Sequence, residues 1–138
     1  MDPLIRVGIA LPQRLLEAFD AQIGRQGYSN RSEAIRDLLR ARLVEQEWAQ
    51  GGDVAGTFTL VYDHHRRDLV SRLLELQHDH EKVIVSTLHV HLDHDNCLEV
   101  LILRGPARQI TALTDALRAL RGVKHTTLAM TSTGAHLA

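Results

Sequence analysis

Segments of strand and helix character alternate in a defined order between residues 57 and 130, and this order restricts the fold more than any other feature of the sequence. Apolar residues at every second position predict strands over 57–62, 83–92, 97–103 and 126–130. Apolar spacings of three and four predict helices over 66–77 and 110–120. In the first of these helices the residues expected to point inward are Leu69, Val70, Leu73, Leu74 and Leu76. The polar turn DHDN joins the two middle strands as a hairpin. The order βαββαβ predicts a ferredoxin-like domain, in which both helices cover one face of an antiparallel sheet.

The N-terminal stretch predicts a second, smaller unit. Residues 4–11 (LIRVGIAL) alternate as a short strand that ends at Pro12, and a helix over 12–25 follows. Ser29 or Asn30 is then expected to cap a second helix. One strand and two helices in about 44 residues cannot bury their apolar surface alone. We therefore expect this unit to dimerise by pairing its strand with the strand of a second copy.

The stretch between the two units, EQEWAQGGDVAG, has no apolar periodicity and contains two adjacent glycines. This predicts domains over 1–48 and 57–132, a linker over 49–56 and a loose tail over 133–138. The fold class is accordingly α+β.

Composition excludes several classes of protein. Aromatic residues make up 4% of the chain, too few for a base-stacking platform, and the net charge of −1 gives no overall attraction to nucleic acid. Residues 1–44 are nevertheless locally basic, with seven arginines against five acidic residues. The single cysteine excludes an intrachain disulfide and fits a reducing compartment. No signal peptide or apolar run of membrane-spanning length is present, so we expect a cytoplasmic protein with no membrane partner.

Five of the nine histidines and the only cysteine lie in one stretch, residues 78–97. His89 and His91 are two apart in a predicted strand, so their side chains project from the same face. Cys97 begins the partner strand and approaches them across the hairpin. Two imidazoles and a thiolate suit zinc in a tetrahedral site, or copper(II) or nickel(II) in a square-planar one. The stretch therefore predicts a transition-metal site.

The alternation also predicts which face carries this site. The residues expected to face the helices are Ile84, Leu88, Val90 and Leu92. His89 and His91 would then lie on the open face, whereas His78 closes a helix on the covered side. If His78 is a ligand, we expect another subunit to supply it. Two sheets packed face to face would cover the apolar residues expected on the open face, Val83, Val85, Leu101 and Leu103.

Simpler interpretations of these residues exist. A single His-x-His is a weak signal, and a lone cysteine is more often a small buried apolar residue than a ligand. His80 and His94 are predicted to be bystanders, and other surface histidines can be merely solvated, namely His64, His65, His125 and His136. No constellation of nucleophile and base is visible, which favours a sensing or structural role over an enzyme.

The N-terminal unit has features of a DNA-binding module. A two-stranded β-ribbon fits the major groove and would present Arg6, Gly8 and Ala10 from each chain. Arg6 can contact guanine, but the other two offer no side-chain hydrogen bonds. Asn30 and Arg31, at a helix start, can contact a phosphate. In the simpler alternative, Arg6 is an ordinary surface charge and residues 1–44 only dimerise.

Three runs carry a resemblance to a known family: 27–38 (GYSNRSEAIRDL), 62–72 (YDHHRRDLVSR) and 87–99 (TLHVHLDHDNCLE). They resemble the nickel-responsive transcriptional regulators, with similarity extending over about residues 4–131. The resemblance implies a ribbon-helix-helix dimer followed by a ferredoxin-like, ACT-type domain that forms a homotetramer, a dimer of dimers. One square-planar Ni(II) per subunit would be held by His89, His91 and Cys97 of one subunit and His78 of another. Nickel would promote binding to a double-stranded DNA operator and so repress transcription.

Further residues acquire roles only through this resemblance. Glu33 and Asp37, which otherwise read as a solvated helix face or as ligands of a hard cation, match a family cation site, such as a potassium site, between the domains. Arg66 and Arg67 match basic positions near the DNA backbone. Family members usually carry polar residues at the positions of Gly8 and Ala10. The alternative function is a regulatory module that senses zinc, copper, cobalt or a small ligand without specific DNA binding.

Overall fold

The structure is a computed structural model that describes residues 2–138. These residues form two compact units, the first ending at Leu43 and including Leu137–Ala138, and the second comprising Val44–His136. No helix in the described part of the chain is both long enough and apolar enough to cross a membrane.

The first unit contains helix α1 (Gln13–Arg25) and most of helix α2 (Arg31–Ala49). Asn30 caps α2 as predicted, because its side-chain oxygen accepts a hydrogen bond from the backbone N–H of Glu33 at 2.9 Å. Residues 2–12 form neither helix nor strand within the described chain and are exposed. A strand was predicted over 4–11, and its partner strand was expected from a second copy of the chain. A single chain therefore does not supply the partner with which residues 4–11 would pair.

The segment predicted as a linker is largely structured. Helix α2 continues to Ala49 and strand β1 (Asp53–Asp63) begins four residues later, so only residues 50–52 lie outside both. Trp48 is buried in the core of the second unit, where its indole Nε1 donates a hydrogen bond to the carbonyl of Thr131 at 2.8 Å. The stretch without apolar periodicity thus contains the C-terminal end of α2, which Trp48 anchors in the core of the second unit. The domain bounds 1–48 and 57–132 stay a prediction.

The second unit confirms the predicted βαββαβ order. After β1 come helix α3 (Arg67–Asp79), strands β2 (Ile84–His91) and β3 (Asn96–Pro106), helix α4 (Ala107–Arg118) and strand β4 (Val123–Thr131). The strands form one antiparallel sheet in the order β2-β3-β1-β4, which is the ferredoxin-like arrangement. Residues 132–138 form no helix or strand.

The core lies between one face of this sheet and the two helices. Alternate residues of β1 are buried, and they pack with leucines and isoleucines from α3 and α4, which include Leu69, Leu73, Ile110, Leu113 and Leu117. Leu74 was expected to point inward as well, but its side chain is 63% exposed. The reason is helical geometry, because each residue turns the side chain by about 100° and Leu73 already occupies the buried direction.

The strand register reverses the predicted faces of the hairpin. Residues directly opposite in an antiparallel pair share a face of the sheet. His91 lies opposite Cys97, and His89 lies opposite Glu99, and both β3 residues are buried on the helix side. His89 and His91 therefore lie on the helix side of the sheet, not on the open face.

The apolar residues of β2 occupy the face that had been assigned to the histidines. Leu88 and Val90 are exposed on the open face, while three residues expected there, Val83, Leu101 and Leu103, are buried in the core. The prediction was wrong because it assumed that β2 packs under the helices. β2 is an edge strand, and the central strands β3 and β1 provide most of the covered surface.

Gly56 of β1 gives a test of this packing. A Cβ atom there would lie 2.8 Å from the backbone oxygen of Ala129 and 3.2 Å from the ring of Trp48. Gly56→Ala is therefore expected to lower the free energy of unfolding by about 1–3 kcal/mol, as measured by urea denaturation. Gly24→Ala is the control, because a Cβ atom added at Gly24 would meet no other part of the chain within 4 Å. Alanine in place of glycine also stabilises a helix by about 0.5–1 kcal/mol. A stable Gly56→Ala protein would contradict the β1–β4 register.

Candidate metal centre

The chain folds so that a thiol and an imidazole meet across the hairpin. Cys97 Sγ lies 3.7 Å from His91 Nδ1, and the two residues are directly opposite in the β2–β3 ladder. One ion bonded to an imidazole nitrogen and a thiolate sulfur can bridge atoms up to about 4.3 Å apart. The observed separation lies within that limit, so the two residues fit a shared transition-metal ion.

His64 joins this pair, although the sequence had suggested only a solvated side chain. Ligand atoms of His64, His91 and Cys97 lie within 4.8 Å of one another. The ring centroids of His64 and His91 are 4.7 Å apart. His64 directly follows β1, which pairs with the strand that carries Cys97. Only the strand order could have indicated this, because the two residues are 33 positions apart in the sequence.

The other two predicted ligands differ in position. His89 stacks on His91 with ring centroids 5.4 Å apart and an interplanar angle of 15°. His78, at the end of α3, is 81% exposed, and its Nδ1 lies 3.8 Å from a carboxylate oxygen of Glu81. Within residues 2–138, His78 belongs to no group of three closely spaced ligand atoms. The argument that His78 lies on the opposite side of the sheet from His89 and His91 was wrong, since all three are on the helix side.

A buried carboxylate connects this centre to α3. Glu99 is 8% exposed, and its two oxygens accept hydrogen bonds from the Tyr62 hydroxyl at 2.9 Å and from the Gln77 amide at 3.1 Å. Because Gln77 precedes His78, the network holds the end of α3 against the strand face that carries the histidines. Burial and the neighbouring Glu99 raise the pKa of Tyr62 above its usual value, so the hydroxyl stays protonated and donates. The sequence analysis had assigned no role to Tyr62 or Gln77.

The thiol of Cys97 is protonated at neutral pH in the absence of a metal. Burial raises its pKa, and the carboxylates of Glu99, Asp63 and Asp93 raise it further. A metal ion must therefore displace a proton from Cys97 when it binds as a thiolate ligand. Metal affinity is expected to increase with pH for this reason.

The turn between β2 and β3 is held by its own side chains. Asp93 accepts hydrogen bonds from the side chain and backbone of Asn96 and from the backbone N–H of Asp95, which lower the pKa of Asp93 to about 2. Lys124 donates to the side-chain oxygen of Asn96. The hairpin end that carries His91 and Cys97 is thus fixed before any metal binds.

The predicted DNA contacts are only partly available in one chain. Arg6, Gly8 and Ala10 are exposed in the N-terminal segment. Arg31, however, makes two hydrogen bonds to Asp20 at 2.8 and 2.7 Å, and the Asn30 side chain caps α2. A phosphate contact by Arg31 would compete with its bonds to Asp20, whereas the cap uses only the side-chain oxygen of Asn30 and not its amide N–H donors.

Two further arginines precede or begin helix α3. Arg66 lies 3.9 Å from a carboxylate oxygen of Asp68, and Arg67 is exposed. Both guanidinium groups are therefore near the surface.

The residues matched to a cation site are engaged in local hydrogen bonds. Asp37 accepts a bond from Tyr28 at 2.7 Å and one from Arg40 at 3.2 Å, and Glu33 accepts one from Ser29 at 3.3 Å. A carboxylate neutralised by Arg40 attracts a cation less strongly. The cation site at Glu33 and Asp37 stays a prediction.

Replacing Tyr62 by phenylalanine tests the Glu99 network. The change leaves the buried carboxylate with one hydrogen bond fewer, so we expect a loss of about 1.5–3 kcal/mol in the free energy of unfolding. Tyr28→Phe is a matched control, since Tyr28 also donates to a carboxylate but at the surface, and we expect no measurable loss there. Equal losses in urea denaturation would show that burial of the Glu99 bond does not matter.

Comparison with known proteins identifies both parts of the chain. The sequence pattern described as "NikR C terminal nickel binding domain" matches residues 55–131, and that of "Ribbon-helix-helix protein, copG family" matches residues 5–46. An ACT domain from a GTP pyrophosphokinase of Chlorobium tepidum aligns with 55% of this chain and 97% of its own, at 16% identity and a TM-score of 0.47. Similarity at that level does not by itself establish a relationship.

Curated relatives match along the whole chain. The protein named "Putative nickel-responsive regulator" in Desulfovibrio desulfuricans is 56% identical over 100% of both chains. The protein of the same name in Geobacter sulfurreducens is 54% identical over 99% of both chains. The one in Chlorobaculum tepidum is 52% identical over 96% of this chain and 98% of its own. These are regulators rather than enzymes. The chain therefore belongs to the family of nickel-responsive regulators, with a ribbon-helix-helix domain followed by a nickel-binding domain.

Proposed function

We propose that this chain is a nickel-dependent transcriptional repressor whose metal site is completed between subunits. Ni(II), one ion per subunit, is held by His89, His91 and Cys97 of one subunit and by His78 of a second subunit. The observation that carries this proposal is the separation of 3.7 Å between Cys97 Sγ and His91 Nδ1. Nickel supplies a link between subunits that only correctly assembled copies can complete.

The position of His78 supports its role as a ligand from another copy. Its side chain is 81% exposed, and it joins no cluster of ligand atoms within the described chain. The Gln77–Glu99 bond holds the end of α3, so His78 projects from a fixed backbone. An exposed imidazole on a fixed helix end can reach an ion in a neighbouring subunit at a low entropy cost.

The open face of the sheet supports assembly into a homotetramer. Leu88, Val90 and Ile102 are exposed there, with 61%, 42% and 47% of their surface accessible. Apolar residues grouped on one sheet face are typical of an interface between subunits. We propose that this face packs against a second copy, and that two ribbon-helix-helix dimers form the tetramer.

The N-terminal segment supports dimerisation and DNA binding. Val7, Ile9 and Leu11 are exposed and line one groove with apolar residues of α1 and α2. Pairing of this segment with its copy would cover the groove and form a β-ribbon. Arg6, Gly8 and Ala10, at the alternate positions, would then face the major groove, with Arg66 and Arg67 near the backbone phosphates.

Selection of DNA from a random library tests the proposal. The full chain is incubated with random 30-base-pair duplexes at about 0.15 M salt, with and without Ni(II), and bound DNA is sequenced. We expect nickel to enrich one sequence with two related half-sites, and His125→Ala, outside the site, to behave in the same way. Enrichment that is unaffected by saturating nickel would refute the proposal.

A second candidate function is metal sensing without specific DNA binding. The observation that favours it is the pair Gly8 and Ala10, whose side chains cannot read base edges by hydrogen bonds. Such a module could respond to zinc, copper or cobalt through the same ligands. Nickel binding with no duplex enriched in the selection, even at low salt, would favour this function.

A further inference from the structure

A second group of metal-ligand side chains lies beside the first and contains no sulfur. Ligand atoms of His65, His94 and Asp95 lie within 4.8 Å of one another, and all three residues are exposed. His65 follows β1, whereas His94 and Asp95 belong to the turn between β2 and β3. This group shares no residue with the His64–His91–Cys97 group and none with the proposed nickel ligands.

The backbone around the three side chains is already fixed. The N–H of His65 donates to Asp63 at 2.9 Å, and the N–H of Asp95 donates to Asp93 at 2.9 Å. The two segments are also joined directly, because the N–H of His64 donates to the carbonyl of Asp95 at 3.2 Å. None of these bonds uses a ligand side chain. The three side chains are therefore brought together by the fold and need little backbone rearrangement to bind an ion.

The side chains themselves are close enough to share one ion. The ring centroids of His65 and His94 are 5.1 Å apart, and His65 Nε2 lies 3.8 Å from a carboxylate oxygen of Asp95. His65 Nε2 also lies 3.0 Å from the carbonyl oxygen of His94, a contact that metal binding through this nitrogen would break. That carbonyl keeps a second partner, since His64 Nε2 lies 2.8 Å from it. Binding at the cluster thus leaves the carbonyl of His94 with its contact to His64.

We propose that His65, His94 and Asp95 form a second, exchangeable site for a first-row divalent metal ion. Zinc is the ion with which this proposal is tested. Imidazole and carboxylate ligands suit zinc, and three protein ligands leave room for water. Because the side chains are exposed and no thiolate takes part, the site is expected to bind more weakly than the thiolate site. It would also retain its metal in a protein that lacks Cys97.

Zinc binding to the full-length Cys97→Ala protein tests this assignment, because the substitution removes the thiolate site. Bound zinc is measured by equilibrium dialysis at neutral pH, and ring-proton shifts of the histidines are followed by NMR. We expect shifts of the His65 and His94 rings on adding zinc. Introducing His94→Ala or His65→Ala into the Cys97→Ala protein is expected to weaken zinc binding at least about tenfold. Even the loss of an outer-shell partner of a metal ligand lowers metal affinity by about 10–100-fold.

His125→Ala in the same background is the matched control, because His125 is also an exposed histidine but lies outside both clusters. Circular dichroism checks that each variant is folded, and the added substitutions at His65, His94 and His125 are expected to preserve the fold because these side chains are on the surface. Unchanged zinc affinity in both His65→Ala and His94→Ala, or no shift of their rings, would overturn the proposal. This outcome is independent of the nickel-dependent DNA selection, which tests the wild-type thiolate site.

Discussion

Replacing Cys97 by alanine is expected to abolish the nickel response. The thiol is buried, lies 3.7 Å from His91 Nδ1, and is the only sulfur donor that a cysteine supplies in the chain. Loss of an outer-shell partner costs about 10–100-fold in metal affinity, so loss of this ligand should cost more than about 100-fold. An absorption titration with Ni(II) should show a thiolate charge-transfer band in the wild type and none in Cys97→Ala.

The same titration provides its own control and a pH test. His125→Ala should keep the charge-transfer band and the wild-type affinity. His125 belongs neither to the cluster of ligand atoms that contains Cys97 nor to the cluster of His65, His94 and Asp95. Since the pKa of Cys97 is raised, nickel must displace a proton, and wild-type affinity should fall as pH is lowered below that pKa. A Cys97→Ala protein that still enriched DNA only in the presence of nickel would refute the assignment of the thiolate as a ligand.

Replacing Leu73 by alanine is expected to destabilise the second unit strongly. Leu73 is 2% exposed and packs in the core between α3, α4 and the sheet. Truncation of a buried leucine leaves a cavity and costs about 2–5 kcal/mol in the free energy of unfolding. Urea denaturation followed by circular dichroism measures this loss.

Leu74 offers a control that differs from Leu73 by one position in the same helix. Its side chain is 63% exposed, and leucine and alanine have similar helix propensities. Leu74→Ala is therefore expected to change the free energy of unfolding by less than about 0.5 kcal/mol. Equal losses in the two variants would contradict the orientation of α3 on the sheet.

These two leucines also show where sequence periodicity stops being informative. Spacings of three and four located helix α3 correctly, but they placed both Leu73 and Leu74 inward. A helix can turn only part of its circumference toward a sheet, and its rotation is set by packing against the sheet and the neighbouring helix. The sequence contains no local signal for that rotation.

The metal centre divides in the same way. The sequence predicted that the hairpin turn brings Cys97 close to His89 and His91, which are two positions apart in one strand. In the structure, His91 lies directly opposite Cys97 in the β2–β3 ladder. The prediction nevertheless assigned the histidines to the wrong face. Leu88 and Val90 were assumed to be core residues, whereas the edge strand leaves them exposed on the open face.

The sequence alone determined the order of the elements and the residue types available for metal binding, and it narrowed the cap of α2 to Ser29 or Asn30. These depend on periodicity and short-range hydrogen bonds, which are local in the chain. Only the tertiary structure decided the face of the sheet on which the histidines lie, the approach of His64 to Cys97 and the network of Tyr62, Glu99 and Gln77. These depend on strand order and register, which bring together residues far apart in sequence. Contacts of that kind are set by burial over the whole domain, and no local segment encodes them.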